Sequence, residues 1–503
     1  MGDFTMHRVL TPEEMGRADA LTIASGLHSG SGLMERAADA VVAEVLRRYP
    51  EAAGFDVLCG VGNNGGDGYA AATRLRQAGA DVAVWALGSL RPGSDAEEAA
   101  RGWPGQGKPL DAFAPRPGRL VIDALFGAGL NRPLEGAAAR AATLCREFGS
   151  KVVAVDLPSG IFGRDGRADG ICFAADLTVT FFRLKPGHLL LPGRDLCGEI
   201  VVADIGIPDA VLTDIDPRIF ANGPALWHDV FPTPATTTHK YARGHAAVLS
   251  GGPTSSGAAR LSAMAAARTG AGAVTLLSPP AALQVNANHL TSIMLHLLDD
   301  DASLKAFLRE RKVRSLVAGP GFGVGERLRE TVLALLGMAD APALVIDADA
   351  ITSLATQPEI FFAAVGRSAA PVVLTPHEGE FGRLFPDLAQ DRSLSKLDRA
   401  RQAAARANSI LVLKGADTVI AHPDGRAAIN ANGTSWLATA GSGDVLCGIV
   451  AGLLAQEMPG WEAACAAVWI HAEAGRAFGP GLIAEDLPGL LPQILHELIA
   501  EYL

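Results

Sequence analysis

The run Thr439, Ala440, Gly441, Ser442, Gly443, Asp444 sets two glycines and a carboxylate just ahead of an apolar stretch, 445–454, that reads as a buried helix. Gly441 and Gly443 let the backbone bend so that consecutive N–H groups face one point at the helix N-terminus. Such a nest holds an anion, and phosphate is the usual one. Asp444, in the first turn, is placed to take a proton from a hydroxyl beside that anion. A Gly-rich turn with an Asp capping its helix accounts for the same residues.

A second cluster lies near the other end of the chain. Asp56, Val57, Leu58 and Cys59 read as a short strand that enters a Gly-rich loop, 60–68, and a helix is expected over 69–77 with Gly79 as its left-handed cap. Strand, Gly-rich loop, helix is the phosphate-binding start of a doubly wound sheet. Asn63, Asn64 and Asp67 among the glycines depart from the usual dinucleotide fingerprint. Strands expected over 120–123 and 151–156 end at Asp123 and Asp156, each followed by a Gly-bearing loop. An acidic residue at the carboxyl end of a buried parallel strand points at the ligand crevice, or else caps a turn. Asn64, Asp123 and Ser159 offer hard oxygen ligands, which suit a hard cation rather than zinc. Lys185, in Lys185-Pro186-Gly187-His188, faces an anion or solvent.

Alternating strands and helices must hold these clusters. Thr11, Pro12 and Glu14 form a capping box that starts one helix, and a second is expected over 33–49. Further strands are expected over 81–87, 175–182 and 199–203. The pattern lapses where Pro224, Pro232, Pro234 and Thr236-Thr237-Thr238 read as a linker. A second series follows, with strands over 245–250, 273–277, 315–318, 343–347, 371–374 and 410–414 and a helix over 256–269. The expected organisation is α/β throughout, with domains at 1–222 and 239–503 and a linker at 223–238. His471, Glu473 and Arg476 read as a packed or solvated helix face.

With 503 residues and 49% hydrophobic content, there is material for more than one core. A net charge of -11 excludes generalised binding to nucleic acid or an anionic membrane. No apolar run is long enough to span a bilayer, and Glu13, Glu14, Arg17 and Asp19 interrupt any signal-peptide core. The six cysteines form no CxxC pair and read as reduced thiols, so a cytoplasmic protein is expected.

The motifs in the first half, Gly62 to Gly68, Asp123 to Gly129, Val155-Asp156-Leu157-Pro158-Ser159-Gly160 and Lys185 to His188, resemble those of NAD(P)H-hydrate epimerases. The second half resembles the ADP-dependent NAD(P)H-hydrate dehydratases of the ribokinase-like fold. Its matching motifs are His239-Lys240-Tyr241, Arg243-Gly244-His245, Gly257-Ala258-Ala259-Arg260-Leu261, Gly319-Pro320-Gly321, Asp347-Ala348-Asp349-Ala350, Thr375-Pro376-His377-Glu378-Gly379-Glu380, Lys414-Gly415 and 439–444. In this order they resemble the bifunctional NAD(P)H-hydrate repair enzymes. The Ser250-Gly251-Gly252-Pro253-Thr254 turn departs from the longer Gly-Ser arrangement common in relatives.

The resemblance implies a Rossmann-like αβα sandwich followed by a ribokinase-like αβα domain. The first would interconvert R and S hydrates of NADH and NADPH (NADHX and NADPHX). The second would dehydrate the S form with ADP and Mg2+, leaving AMP and phosphate. It also implies roles. Asp444 and Asp156 would be catalytic. Asn63, Asn64, Gly65, Gly66, Asp67, Gly127, Ala128, Gly129, Leu130, Asn131, Arg132, Pro133 and Asp156 would hold the epimerase substrate. Asn64, Asp123 and Ser159 would hold K+. Ala258, Gly321 and His377 would contact the hydrate in the dehydratase, and Lys414, Gly415, Ala416, Asp417, Thr418, Gly443 and Asp444 the nucleotide. The expected partners are these small molecules, and a homo-oligomer is expected. The same Gly-x-Gly-Asp loop also suits a small-molecule kinase fused to a non-catalytic binding module.

Overall fold

The computed structural model describes residues 7–502, which form two compact units that meet in sequence between Ile219 and Phe220. The first unit is built on a parallel sheet of β1 (Gly54–Cys59), β2 (Val82–Ala86), β3 (Lys108–Pro109), β4 (Arg119–Ala124), β5 (Val152–Val155), β6 (Leu177–Phe181) and β7 (Glu199–Ala203). Its order is β3-β2-β1-β4-β5-β6-β7, so the direction of winding reverses between β1 and β4. That reversal opens a crevice beyond the strand carboxyl ends, the Rossmann-like placement of a ligand site. Strands β1, β5 and β6 are buried along their whole length, as expected for a sheet with both faces covered. One face packs on α1 (Pro12–Ala24), α2 (Gly30–Arg48) and α3 (Asn63–Gln77), and the other on Gly136–Phe148. Helix α1 has the expected capping box: the Glu14 amide donates to Thr11 Oγ1 and the Thr11 amide to Glu14 Oε2.

The glycine-rich segment differs from the expected loop. Helix α3 starts at Asn63, so Asn63, Asn64, Gly65 and Gly66 form its first turn and Asp67 opens the second. A Cβ on Gly65 would collide with the carbonyl of Gly60, and one on Gly66 would meet Met34 and Ala96. Close packing overrides the poor helix propensity of glycine here.

The second unit contains β8 (His245–Leu249), β9 (Ala273–Ser278), β10 (Met294–Leu297), β11 (Ser315–Ala318), β12 (Ala343–Ile346), β13 (Val372–Leu374), β14 (Ile410–Leu413), β15 (Val419–Ala421) and β16 (Ala427–Ile429). Within it the order runs β16-β15-β14-β13-β12-β11-β8-β9-β10, with β15 antiparallel to both its neighbours, β14 and β16, and every other pair parallel. Strands β10, β15 and β16 are not among those read from the sequence; each spans only three or four residues, although Pro423-Asp424-Gly425 between β15 and β16 is a turn signal. The principal helices are α4 (Ser256–Thr269), α5 (Glu378–Leu384), α6 (Ser442–Ala455) and α7 (Gly460–Phe478). Helix α6 is buried on all sides from Val445 to Ala455. Gly448 and Gly452 let it press against α4, where a side chain would strike the carbonyls of Ser262 and Ala266.

Residues 223–231 do not behave as an open linker. Trp227 and Phe231 are buried in the core of the second unit, and Trp227 packs edge-on against Trp469. Prolines mark missing backbone donors, not missing packing. The six cysteines are free, and among the described residues no helix is long and apolar enough to cross a membrane.

Candidate active sites

The first unit carries a cavity of about 590 Å³ at its winding reversal. Helix α1 contributes Met15, Asp19 and Ile23, one face at i, i+4, i+8 spacing. Helix α3 contributes Asn63, Asn64 and Asp67, and the segment after β4 contributes Gly127, Ala128, Gly129, Leu130, Asn131 and Arg132. Asp156 and Lys185 close the wall. Gly65 and Gly66 are buried behind it, and neither they nor Pro133 line it.

Asp156 lies just past β5 with φ 66°, in the left-handed region, which costs a residue with a side chain about 1–3 kcal/mol. The surroundings fix it there. Lys185 Nζ donates to Asp156 Oδ1 (2.8 Å), to Thr180 Oγ1 (2.8 Å) and to the Phe181 carbonyl (3.3 Å), so all three ammonium protons have acceptors. Thr180 Oγ1 also donates to Asp156 Oδ1, and the Ala128 amide donates to Oδ2 (2.8 Å). Burial by itself would raise the Asp156 carboxyl; the Lys185 ammonium, His188 and these hydrogen bonds outweigh it and hold the group at about 2. His188 Nδ1 accepts from the Lys185 amide and its Nε2 lies 2.8 Å from the Asp156 carbonyl. Burial, and then Lys185, push His188 down to about 4, so it is neutral at pH 7. Lys185 is therefore a buried partner, not a solvated side chain.

Asp123 and Ser159 sit together behind this wall, both fully buried. Asp123 accepts from Ser159 Oγ (2.6 Å), the Ser159 amide (2.7 Å) and the Leu125 amide (3.2 Å). All three donors are neutral, and burial lifts the carboxyl to about 6. A buried carboxylate without a cationic neighbour is the environment a bound cation would relieve. Asn64 Nδ2 is buried without a hydrogen-bond partner, and turning the amide over would put an oxygen there. The donor set thus fits a hard cation.

The second unit carries a cavity of about 490 Å³ at the carboxyl ends of β12, β13 and β14. The strand ends supply Asp347, His377 and Lys414; α5 supplies Glu380. Gly441, at φ 90°, caps α6 and turns the chain so that Ser442, Gly443 and Asp444 form its first turn. Helix geometry leaves first-turn amides without intrahelical acceptors, so this end attracts an anion. Lys414 Nζ donates to Asp347 Oδ1 (2.7 Å) and lies 3.9 Å from Glu380 Oε2. A Cβ on Gly443 would stand 3.3 Å from Lys414 Nζ, so glycine lets the ammonium approach the helix end. Asp444 is raised to about 7, by burial first and then by Asp347, against the opposing pull of Lys414. A carboxyl titrating near 7 at a helix N-terminus is tuned for general base work. His377 caps α5 through Nδ1, which accepts from the amides of Gly379 and Glu380.

Lys414, Gly415, Ala416, Thr418, Gly443, Asp444 and His377 all line this cavity. Asp417 is buried in an ion pair with Lys396 (2.6 Å) instead, and Ala258 and Gly321 adjoin each other outside the lining. Asp347, Glu380, Ser442 and His471 line it without having been assigned roles from the sequence. His471 packs in α7 as expected, yet its Nε2 lies 3.1 Å from Ser442 Oγ. Asp347 was legible as an acid at a strand end; His471 carried no signal beyond being polar in an apolar helix. In the first unit, Asp19 was the overlooked residue, and its signal was an acid on the Met15–Ile23 stripe.

Two α/β units, each with a polar cavity at its strand carboxyl ends, define a two-site enzyme with a nucleotide-type anion site in its second half. The NAD(P)H-hydrate dehydratase family matches residues 246–497, and the YjeF-related protein N-terminus family matches residues 30–187. The chain is 35% identical to the bifunctional NAD(P)H-hydrate repair enzyme Nnr of Moorella thermoacetica, over 98% of this chain and 97% of that protein. It is 32% identical to the enzyme of the same name from Escherichia coli, over 93% and 90%. A solved ADP/ATP-dependent NAD(P)H-hydrate dehydratase from Bacillus subtilis, co-crystallised with ATP/Mg2+, is 26% identical with TM-score 0.47, covering 53% of this chain and 94% of that one. The chain belongs to the bifunctional NAD(P)H-hydrate repair enzyme family.

Proposed function

We propose that the first unit interconverts the R and S hydrates of NADH and NADPH and that the second dehydrates the S hydrate at the expense of ADP, releasing AMP and phosphate. The observation that carries the second half is Asp444, raised to about 7 in the first turn of α6 beside Lys414. Hydroxide is a poor leaving group; a phosphorylated hydroxyl is a good one. Asp444 takes the hydroxyl proton as its oxygen attacks the terminal phosphate of ADP. The amides of Gly443 and Asp444 and the Lys414 ammonium stabilise charge on the transferring phosphoryl. Three carboxylates, Asp347, Glu380 and Asp444, share the cavity with Lys414. That excess of negative charge suits Mg2+ arriving with the nucleotide, and Asp347 and Glu380 are the residues that would hold it.

In the first unit, Lys185 and Asp156 form a fixed dipole in the cavity wall that orients the substrate. Asn64, Asp123 and Ser159 would hold K+ there, supplying positive charge behind that wall. The test is to incubate the protein with mixed hydrates, with and without ADP, and follow reduced-nicotinamide absorbance. Full recovery only with ADP, with one AMP and one phosphate per turnover, is expected. A phosphorylated product that accumulates without recovery of reduced nicotinamide would instead identify a kinase.

A further inference from the structure

We propose that Asp19 and Asp67 are the proton-transfer pair of the epimerase cavity, one acting on each face of the hydrated ring. This rests on the epimerase reading given above. Both carboxyls line the cavity, Asp19 from α1 and Asp67 from α3. Among the described residues neither side chain makes a hydrogen bond or an ion pair, whereas Asp156 in the same wall has both oxygens engaged. Asp156 is thus held in place, and the two unengaged acids are the groups able to gain and lose a proton.

Their environments also separate them. Burial raises Asp19 to about 6, with Lys185 pulling it down and Asp156 pushing it up. Asp67 is raised well above its ordinary range, by burial and then by Asp156 and Asp19. Asp95, Arg132, Asp156 and Lys185 are the other charged groups that line the cavity. Burial pushes Asp67 the harder of the two, so when the pair carries a single proton Asp67 holds it, and two acids separated in this way divide donor from acceptor.

The chemistry needs that division. Dihydronicotinamide is an enamine, so added water leaves its hydroxyl on the carbon beside the ring nitrogen. One carboxyl gives its proton to that hydroxyl as the C–O bond breaks, and the bonding pair leaves with oxygen as water. The nitrogen lone pair forms the C=N bond, and the carbon becomes planar. Water then adds to the opposite face: a new C–O bond forms, the C=N pair returns to nitrogen, and the second carboxyl takes the released proton. The pair ends with the same single proton on its other member, which makes the reverse reaction the mirror process. No oxidant or further reactant is required.

The test uses the full-length protein without ADP and R-enriched hydrate, with the approach to equilibrium followed by chromatography and the spontaneous rate subtracted. Wild type should give a bell-shaped pH profile with its acidic limb near 6. Asp19→Asn should lower kcat by about 10²-fold or more and abolish that limb; Asp67→Asn should do the same to the alkaline limb. Asp19→Glu should restore part of the rate. A retained cooperative urea-denaturation transition of the first unit shows that the variants are folded, and unchanged ADP-dependent dehydration of S-hydrate shows that the second unit is untouched. A flat wild-type profile overturns the pair, as does either Asn variant that changes only KM or keeps kcat within about threefold. A wild-type protein no faster than the spontaneous rate overturns the epimerase assignment itself.

Discussion

Replacing Asp444 with Asn should abolish dehydration while making the second unit more stable at alkaline pH. Burial and Asp347 hold this carboxyl at about 7, against an ordinary value of 3.8. The sign follows from linkage. A folded-state value above the unfolded one means that the unfolded chain releases its proton first, so stability is lost as pH rises from about 4 to 7 and stays lost above. The full penalty for a group shifted this far is about 4 kcal/mol, and partial solvent access reduces it to about 2 kcal/mol. Asn keeps the shape and cannot ionise, so the penalty disappears. At pH 8 the variant should melt about 5 °C higher in the transition that ADP shifts upward, with less than half that gain at about pH 5. Turnover should fall by about 10²–10⁴, or about 3–5 kcal/mol of barrier. Thermal melts at both pH values and an ADP-dependent absorbance assay measure the two effects. Near wild-type turnover refutes the general base; equal melting of both proteins at both pH values refutes the account of its environment.

Lys185→Met should strand the buried Asp156 carboxylate, costing the first unit about 3–5 kcal/mol in urea denaturation and removing epimerisation, while S-hydrate dehydration persists. Asp123→Ala should abolish the K+ dependence of the epimerisation rate without affecting dehydration; a variant with wild-type K+ response places the cation elsewhere. A fragment starting at Phe220 should dehydrate S-hydrate, leave the R form as its endpoint, and be about 3–5 kcal/mol more stable than one starting at Thr233, because only the longer one keeps Trp227 in its core. Equal stability of the two would show that Trp227 does not belong to that core.

Local chemistry was legible from the chain alone. Thr11 and Glu14 specify a helix start through bonds between near neighbours, and apolar runs bounded by glycine, proline or charged residues specify β1, β4, β5, β11 and β12. The order Asn64, Asp123, Asp156, Lys414, Asp444 placed acids, amides and cations at strand carboxyl ends, because a parallel α/β sheet exposes its crevice on that edge. What the chain could not settle was decided by contacts distant in sequence. Gly65 and Gly66 are helical because Gly60, Met34 and Ala96 leave no room for side chains, a fact about packing that propensity contradicts. Trp227 is core because Trp469 and Phe231 surround it, despite the prolines on either side. Lys185 is buried and Asp156 ionised only because the two meet across 29 residues. Asp19 and Asp444 acquire values near 6 and 7 only when folding removes water from them and brings other carboxylates near. Residue types and spacing determine which groups can do chemistry; burial and long-range charge, which exist only in the folded chain, decide the protonation state in which each one does it.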